Sequence, residues 1–387
     1  TTRTPSPRSV SQILRTGDVV TVRILSLPES LSTKNLPTLP VELIPHPKLQ
    51  GAMVVIDPHS RLVRAIVGGY DLTQTGFLRA TQALRQPGSA FKPIVYAAGI
   101  DSKTITPASL CADSPVVIRD KWTGKAWKPE NYEDGRYDGN ITYRTALSKS
   151  KNTCSVKLVE TLTPEKVIET AKAMGISSKQ PLNLTIALGT GEVTPFELAN
   201  AYATLASGGY FAKPITIRKI VDSDGAILKE AKPEPKEAIN PATAFVVGHM
   251  MTSVVQEGTA IRAKKLERPL AGKTGTTNQS KNAWFAGFSP ELVSVVWVGF
   301  DNNTSMGRLT GSSAALPIWV NFMEEALKSI PKTQFIPPSD VVFRRVDRDT
   351  GEPTNDVGSI EEVFLPGTEP ELQTQELPSL FIEDEEP

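Results

Sequence analysis

Arg85-Gln86-Pro87-Gly88-Ser89-Ala90-Phe91-Lys92-Pro93 sets a hydroxyl and an amine three residues apart just after a Pro-Gly turn. If a helix starts at this turn, Ser89 and Lys92 share one face, one turn apart, and a nucleophile has a base beside it. The next residues support a helix. Phe91, Ile94, Val95, Ala97, Ala98 and Ile100 leave hardly any polar side chain before Asp101, and a helix apolar all round belongs in a core. Pro93 suits a first turn and is expected to leave the Ser89 carbonyl outside the helical ladder. Gly88 is expected to clear room for a substrate backbone. The pair alone decides little, because Ser-x-x-Lys recurs at Ser148/Lys151 and Ser329/Lys332.

A chain of 387 residues exceeds the usual single-domain size, and its 39% hydrophobic and 22% charged content describes a soluble globular protein. The balance of 42 basic and 42 acidic residues hides a division: no Lys or Arg follows Arg348, whereas 12 acidic residues do, so residues 1–348 carry a formal +12. A basic body can attract an anionic polymer, or be merely a solvated surface; nothing points to nucleic acid. The two cysteines, Cys111 and Cys154, allow one bridge or none. His46, His59 and His249 have no metal-ligand spacing, so no metal site is expected. Apolar runs such as Val293–Phe300 fall far short of the ~20 residues that span a bilayer. With Thr1-Thr2-Arg3 at its start and no signal peptide, the chain reads as a piece of something longer.

Residues 1–50 and 331–387 hold 15 of the 31 prolines, so both ends are expected to be less compact than the middle. The chain divides into three parts: 1–50, the remnant of a small β-rich linker module with a strand over 18–25; 51–330, the main domain; and 331–387, an acidic, proline-containing segment. Residues 51–57 and 62–68 read as a hairpin leading to the Ser89 helix. Residues 101–141 carry Trp122, Trp127, Tyr132 and Tyr137 in an irregular segment that either borders a site or packs under a loop. Helices open near Thr142, at Thr163-Pro164, at Thr194-Pro195 with a capping box to Glu197, and at Asn240-Pro241. Strands return over 271–277, 283–288 and 292–300. A hairpin early, helices in the middle and strands late give an α+β class: an antiparallel sheet flanked by helices plus a mostly helical lobe.

Lys273-Thr274-Gly275-Thr276 lies among the late strands and occurs once. Alternation sends Thr274 and Thr276 to one side and Lys273 and Gly275 to the other, a plausible carboxylate clamp on an edge that an extended peptide can join. Ser150-Lys151-Asn152 offers a further hydroxyl and amide, and both reach one cleft only if the helix breaks there. A decoy, Ser280-Lys281-Asn282, exists. Order makes the set specific: Ser-x-x-Lys, then Ser-x-Asn 61 residues on, then Lys-Thr-Gly-Thr after another 123.

On these three motifs the chain resembles the transpeptidase half of bifunctional class A penicillin-binding proteins. The likeness extends through residues 77–93 (FLRATQALRQPGSAFKP), 187–210 (ALGTGEVTPFELANAYATLASGGY) and 282–302 (NAWFAGFSPELVSVVWVGFDN), with weaker echoes in 346–370. Asn282 departs from the Asp common in relatives. The resemblance implies the penicillin-binding protein/β-lactamase-like fold and a serine-type D-Ala-D-Ala transpeptidase or carboxypeptidase that cross-links peptidoglycan stem peptides. It further implies work outside the cytoplasmic membrane, acylation by β-lactams, no cofactor, and cell-wall synthesis proteins as candidate further partners. By the same resemblance Ser89 is the nucleophile, Lys92 its base, Ser150 a proton relay, Asn152 an orienting group and Lys273 the cation that depresses Lys92. Thr274, Gly275 and Thr276 bind substrate, with the Ser89 and Thr276 amides as oxyanion hole, worth about 3 kcal/mol per donor. The alternatives are a serine β-lactamase, for which Glu197 superficially matches the deacylating glutamate, and a β-lactam-sensing domain.

Overall fold

The computed structural model describes residues 9–26, 39–44, 47–72, 76–119, 126–132 and 136–371. Trp122, His46, the chain start and the acidic stretch beyond residue 371 lie outside them. Two units divide at Lys48. In the first, β1 (Thr21–Ile24) and β2 (Val41–Ile44) form an antiparallel hairpin in which Thr21 faces Ile44, with all of β1 exposed.

The second unit is built on a five-stranded antiparallel sheet. β3 (Leu49–Ile56) and β4 (Val63–Val67) are the expected hairpin. Late in the chain come β7 (Ala271–Thr276), β8 (Asn282–Phe288) and β9 (Val293–Phe300), and the spatial order is β7-β8-β9-β3-β4. The sheet is thus assembled from both ends of the domain, as expected. Every residue of β8 is buried, because helices cover both faces. On one face α5 (Pro195–Ala206) sets Tyr202 edge-on to Phe288; on the other α7 (Leu316–Ala326) sets Trp319 against Phe285, with Trp319 Nε1 donating to Ser294 O at 3.0 Å.

The Ser89 stretch forms a 3-10 turn, Gly88–Phe91, that runs into α1 (Lys92–Asp101). Lys92 through Ile100 are all buried, as the all-apolar pattern of a core helix requires. The Ser89 carbonyl does not fall outside the ladder: it accepts from Lys92 N–H, because the tighter turn closes i to i+3 where an α-turn would have needed the amide that Pro93 lacks. Around α1 lie α2 (Tyr143–Ser148), α3 (Asn152–Leu162), α4 (Pro164–Ala173) and α6 (Pro241–Gln256). Strand β5 (Leu110–Asp113) pairs with β6 (Gly139–Thr142), and a disulfide joins Cys111 in β5 to Cys154 in α3.

The proline count suggests a loose C-terminal end, yet the described part differs. β10 (Val342–Val346) and β11 (Ile360–Phe364) pair antiparallel, and Phe364 and Val346 close a small cluster over Ala108. Glu362, almost fully buried, is ion-paired with Arg144 of α2. Charge complementarity across 218 residues is invisible to a proline count.

Candidate active site

Ser89, Ser150, Asn152, Thr274 and Thr276 line one cleft of about 770 Å³, and Lys92, Lys273 and Gly275 stand just behind its wall. Three local devices make this possible. The first is the break between α2 and α3. Ser150 adopts φ of +61°, a left-handed conformation that costs a non-glycine residue about 1–2 kcal/mol. That kink is the turn the motif required, and it turns Ser150 and Asn152 toward the same amine.

The second device is a pair of glycines. Gly88 has φ of +56°, and a Cβ there would stand 2.7 Å from Thr276 O; a Cβ on Gly275 would stand 2.3 Å from Pro87 O. Gly88 therefore does not make room for substrate. What approaches it is the chain's own strand, and the two glycines let β7 lie against the Ser89 turn. The third device is register. Thr277 N–H donates to Asn282 O at 3.1 Å, so by alternation Gly275 and Lys273 face β8 in main-chain hydrogen-bonded pairs. The main-chain groups of Thr274 and Thr276 are then directed off the sheet edge.

Two lysines meet at Ser150. Lys92 Nζ, fully buried, donates to Ser150 O (2.7 Å), Asn152 Oδ1 (2.8 Å) and Lys151 O (3.1 Å), with Ser150 Oγ at 3.4 Å. Lys273 Nζ, also fully buried, reaches Ser150 Oγ at 2.8 Å and Thr274 O at 3.2 Å. Burial holds Lys92 well below the usual lysine range and the Lys273 cation pushes it further, against an opposing pull from Asp113. Burial alone pushes Lys273 down to about 7. The carbonyl oxygens around Lys92 favour its ammonium form, but losing water around a charge outweighs them. Ser89 Oγ makes no hydrogen bond to another described residue and opens to the cleft. Ser89 and Lys92 stand three residues apart at the start of α1, and a hydroxyl on the cleft with a pKa-depressed amine one turn on suits acyl transfer without histidine.

The decoys resolve by geometry. Ser148 Oγ donates to Thr145 O, and Lys151 pairs with Asp113 and Asp138. Asn282 is buried, accepting from Trp297 Nε1 at 2.9 Å. Glu197 completes the capping box and accepts from Ser177 and Ser178, so its carboxylate is spent away from the cleft and supplies no deacylating base. Sequence reasoning missed what stands behind the motifs: Thr259 Oγ1 beside Thr274 Oγ1 at 2.7 Å, Gly311 N–H donating to Thr276 Oγ1 at 2.9 Å, and Asn131. Trp127 and Tyr132 do border the cleft.

Residues 51–324 match the family described as the penicillin-binding protein transpeptidase domain. The chain belongs to the penicillin-binding protein transpeptidase family. Among curated relatives, penicillin-binding protein 1A of Neisseria lactamica is 43% identical over 309 residues, 78% of this chain and 38% of that protein. Its namesake from Aquifex aeolicus is 40% identical over 87% of this chain and 46% of its own length. The chain thus spans less than half of these relatives. Among solved structures, penicillin-binding protein 1A from Haemophilus influenzae superposes with a TM-score of 0.81 at 31% identity, covering 86% of this chain and 55% of that one. PonA1 from Mycobacterium tuberculosis in complex with penicillin V gives 0.66 at 28% identity, covering 82% of this chain and 84% of that one. For a penicillin-binding transpeptidase domain, the mixed fold with its central antiparallel sheet is the expected one.

Proposed function

We propose that this chain is the peptidoglycan DD-transpeptidase part of a bifunctional, membrane-anchored cell-wall synthase, working outside the cytoplasmic membrane. The observation that carries the reading is the chain of contacts from Lys92 through Ser150 to Lys273, with Ser89 on the wall of the same cleft. Ser89 Oγ attacks the carbonyl of the penultimate D-alanine, passing its proton to neutral Lys92, and the amides of Ser89 and Thr276 receive the oxyanion. Ser150 hands its proton to the leaving nitrogen and takes one in turn from the Lys92 ammonium, which returns the amine to neutrality as D-alanine departs, with Lys273 beside the relay. An amine of a second stem peptide, or water in the carboxypeptidase branch, then takes the acyl group. Asn152 orients Lys92 and a substrate amide, and Thr274 and Thr276 hold the terminal carboxylate with Gly275 keeping their strand against the turn.

β-Lactams enter by the same route. The partners proposed are stem peptides, β-lactams and other cell-wall synthesis proteins. The division into 1–50, 51–330 and 331–387 is part of the proposal; the family match over 51–324 and the unit boundary at Lys48 favour its first border. Labelled penicillin is expected to add one acyl group per chain on Ser89 and to remain for minutes or longer. An unmodified Ser89 peptide in the mass spectrum sinks the assignment, and release within a second turns it into a β-lactamase.

A further inference from the structure

Lys151 occupies the open position of Ser-x-Asn, yet its side chain is only 3% exposed and its Nζ is paired with Asp113 Oδ2 (3.2 Å) and Asp138 Oδ2 (3.1 Å). Asp113 is completely buried. It accepts from Asn131 Nδ2 at 2.8 Å and Asp138 N–H at 2.9 Å, and from the Thr153 hydroxyl. Asn131 Oδ1 in turn accepts Asn152 N–H at 2.8 Å, while Asn152 Nδ2 donates to Glu130 O at 2.7 Å. The disulfide fastens the strand that carries Asp113 to the helix that carries Thr153. Every residue of Ser150-Lys151-Asn152 therefore presents an oxygen to Lys92 in front while an ionic frame grips the same loop from behind. Something must hold Ser150 in its left-handed conformation, and buried, mutually satisfied charges are suited to that task because they accept one geometry.

We propose that Asp113 and Lys151 are positioning residues for the acyl-transfer site: their ion pair fixes the Ser150 loop and sets the electrostatic environment of the Lys92 amine. This rests on the reading of Lys92 as the base of Ser89. The charged groups facing Lys92 are Lys273 on β7, Asp113 on β5 and Lys151 in the loop, with Asp138 and Lys149 behind Lys151. Asp113 stabilises the Lys92 ammonium and Lys151 offsets it. The two halves of the pair should therefore act on the base with opposite sign, which a purely structural clamp would not do.

The test is the rate of labelled-penicillin acylation against pH in Asp113→Asn, Lys151→Met, Asp138→Asn and Lys151→Arg. Removing the carboxylate of Asp113 makes Lys92 easier to deprotonate, so the acid limb moves to lower pH, by on the order of half a unit or more. Removing the Lys151 cation leaves Asp113 uncompensated, and the limb moves to higher pH. Lys151→Arg restores the wild-type limb. Should Asp113→Asn fail to fold, Asp138→Asn, which keeps the fully buried carboxylate and removes a one-third exposed one, is expected to move the limb downward by less. Limbs that stay in place in folded variants, or that move in the same direction for Asp113→Asn and Lys151→Met, overturn the proposal. Wild-type protein that forms no acyl adduct overturns instead the assignment of Ser89 and Lys92 beneath it.

Discussion

Burial of the Lys273 amine sets chemistry against stability at a single side chain. Its pKa falls to about 7 in the fold from an ordinary value of 10.5. Between those values the unfolded chain holds a proton that the folded one does not, so stability rises with pH across that window and the full penalty applies below 7. Lys273→Met keeps the volume and removes the charge. The loss of two hydrogen bonds, to Ser150 Oγ and Thr274 O, costs about 1 kcal/mol each, less than the penalty relieved. The variant is expected to gain several degrees in Tm at pH 6.5, to lose that gain by pH 10, and to acylate far more slowly. A lower Tm at pH 6.5 than wild type shows that Lys273 is not held near neutrality by burial.

At the scale of elements, the site depends on two segments touching: the Gly88–Phe91 turn and strand β7. Gly88→Ala must place a methyl at positive φ and against Thr276 O, so either the turn leaves its conformation or the strand edge shifts. We expect a loss of about 1–3 kcal/mol, read as a lower Tm, and acylation slowed at least tenfold because the Ser89 and Thr276 amides separate. An unchanged Tm and rate would show that the contact is dispensable. The sequence spelled out the elements themselves. Pro at the first turn of α4, α5 and α6, the Thr194/Glu197 box and the β-branched strands carry local signals that survive into the fold. The three motifs were legible by order and spacing. The supports were not, because Asp113, Asn131 and Thr259 carry no pattern of their own and acquire a role only from what lies across the cleft. The 3-10 geometry at Ser89 escapes the local rule because a missing proline amide can be answered by a tighter turn as well as by an open carbonyl. The use of Gly88 escapes it because its partner, Thr276, lies far along the chain, where no local rule reaches.

Over the whole second unit, the helical lobe is tied to the C-terminal hairpin by one buried ionic cluster. Arg144 meets both carboxylate oxygens of Glu362, donates to His249 O at 2.9 Å and Ser253 Oγ at 2.8 Å, and stands 2.7 Å from His249 Nδ1. Burial works to raise the Glu362 pKa, but Arg144 outweighs it and holds the carboxyl at about 2. A depressed carboxyl contributes stability that is complete above its ordinary value of 4.5 and is lost as pH falls toward 2, amounting to about 3 kcal/mol for such a shift. Glu362→Gln leaves Arg144 buried without its counter-charge, a loss of about 3–5 kcal/mol at neutral pH. The difference in unfolding free energy between wild type and variant, measured in urea, is expected to be flat from pH 7 to about 5.5 and to shrink below 4.5. None of Arg144, His249, Ser253 and Glu362 lines the Ser89 cleft, so a folded Glu362→Gln protein should still take one penicilloyl group per chain. If the difference keeps growing as pH falls, the hairpin is held by its small apolar cluster over Ala108 and not by the ion pair.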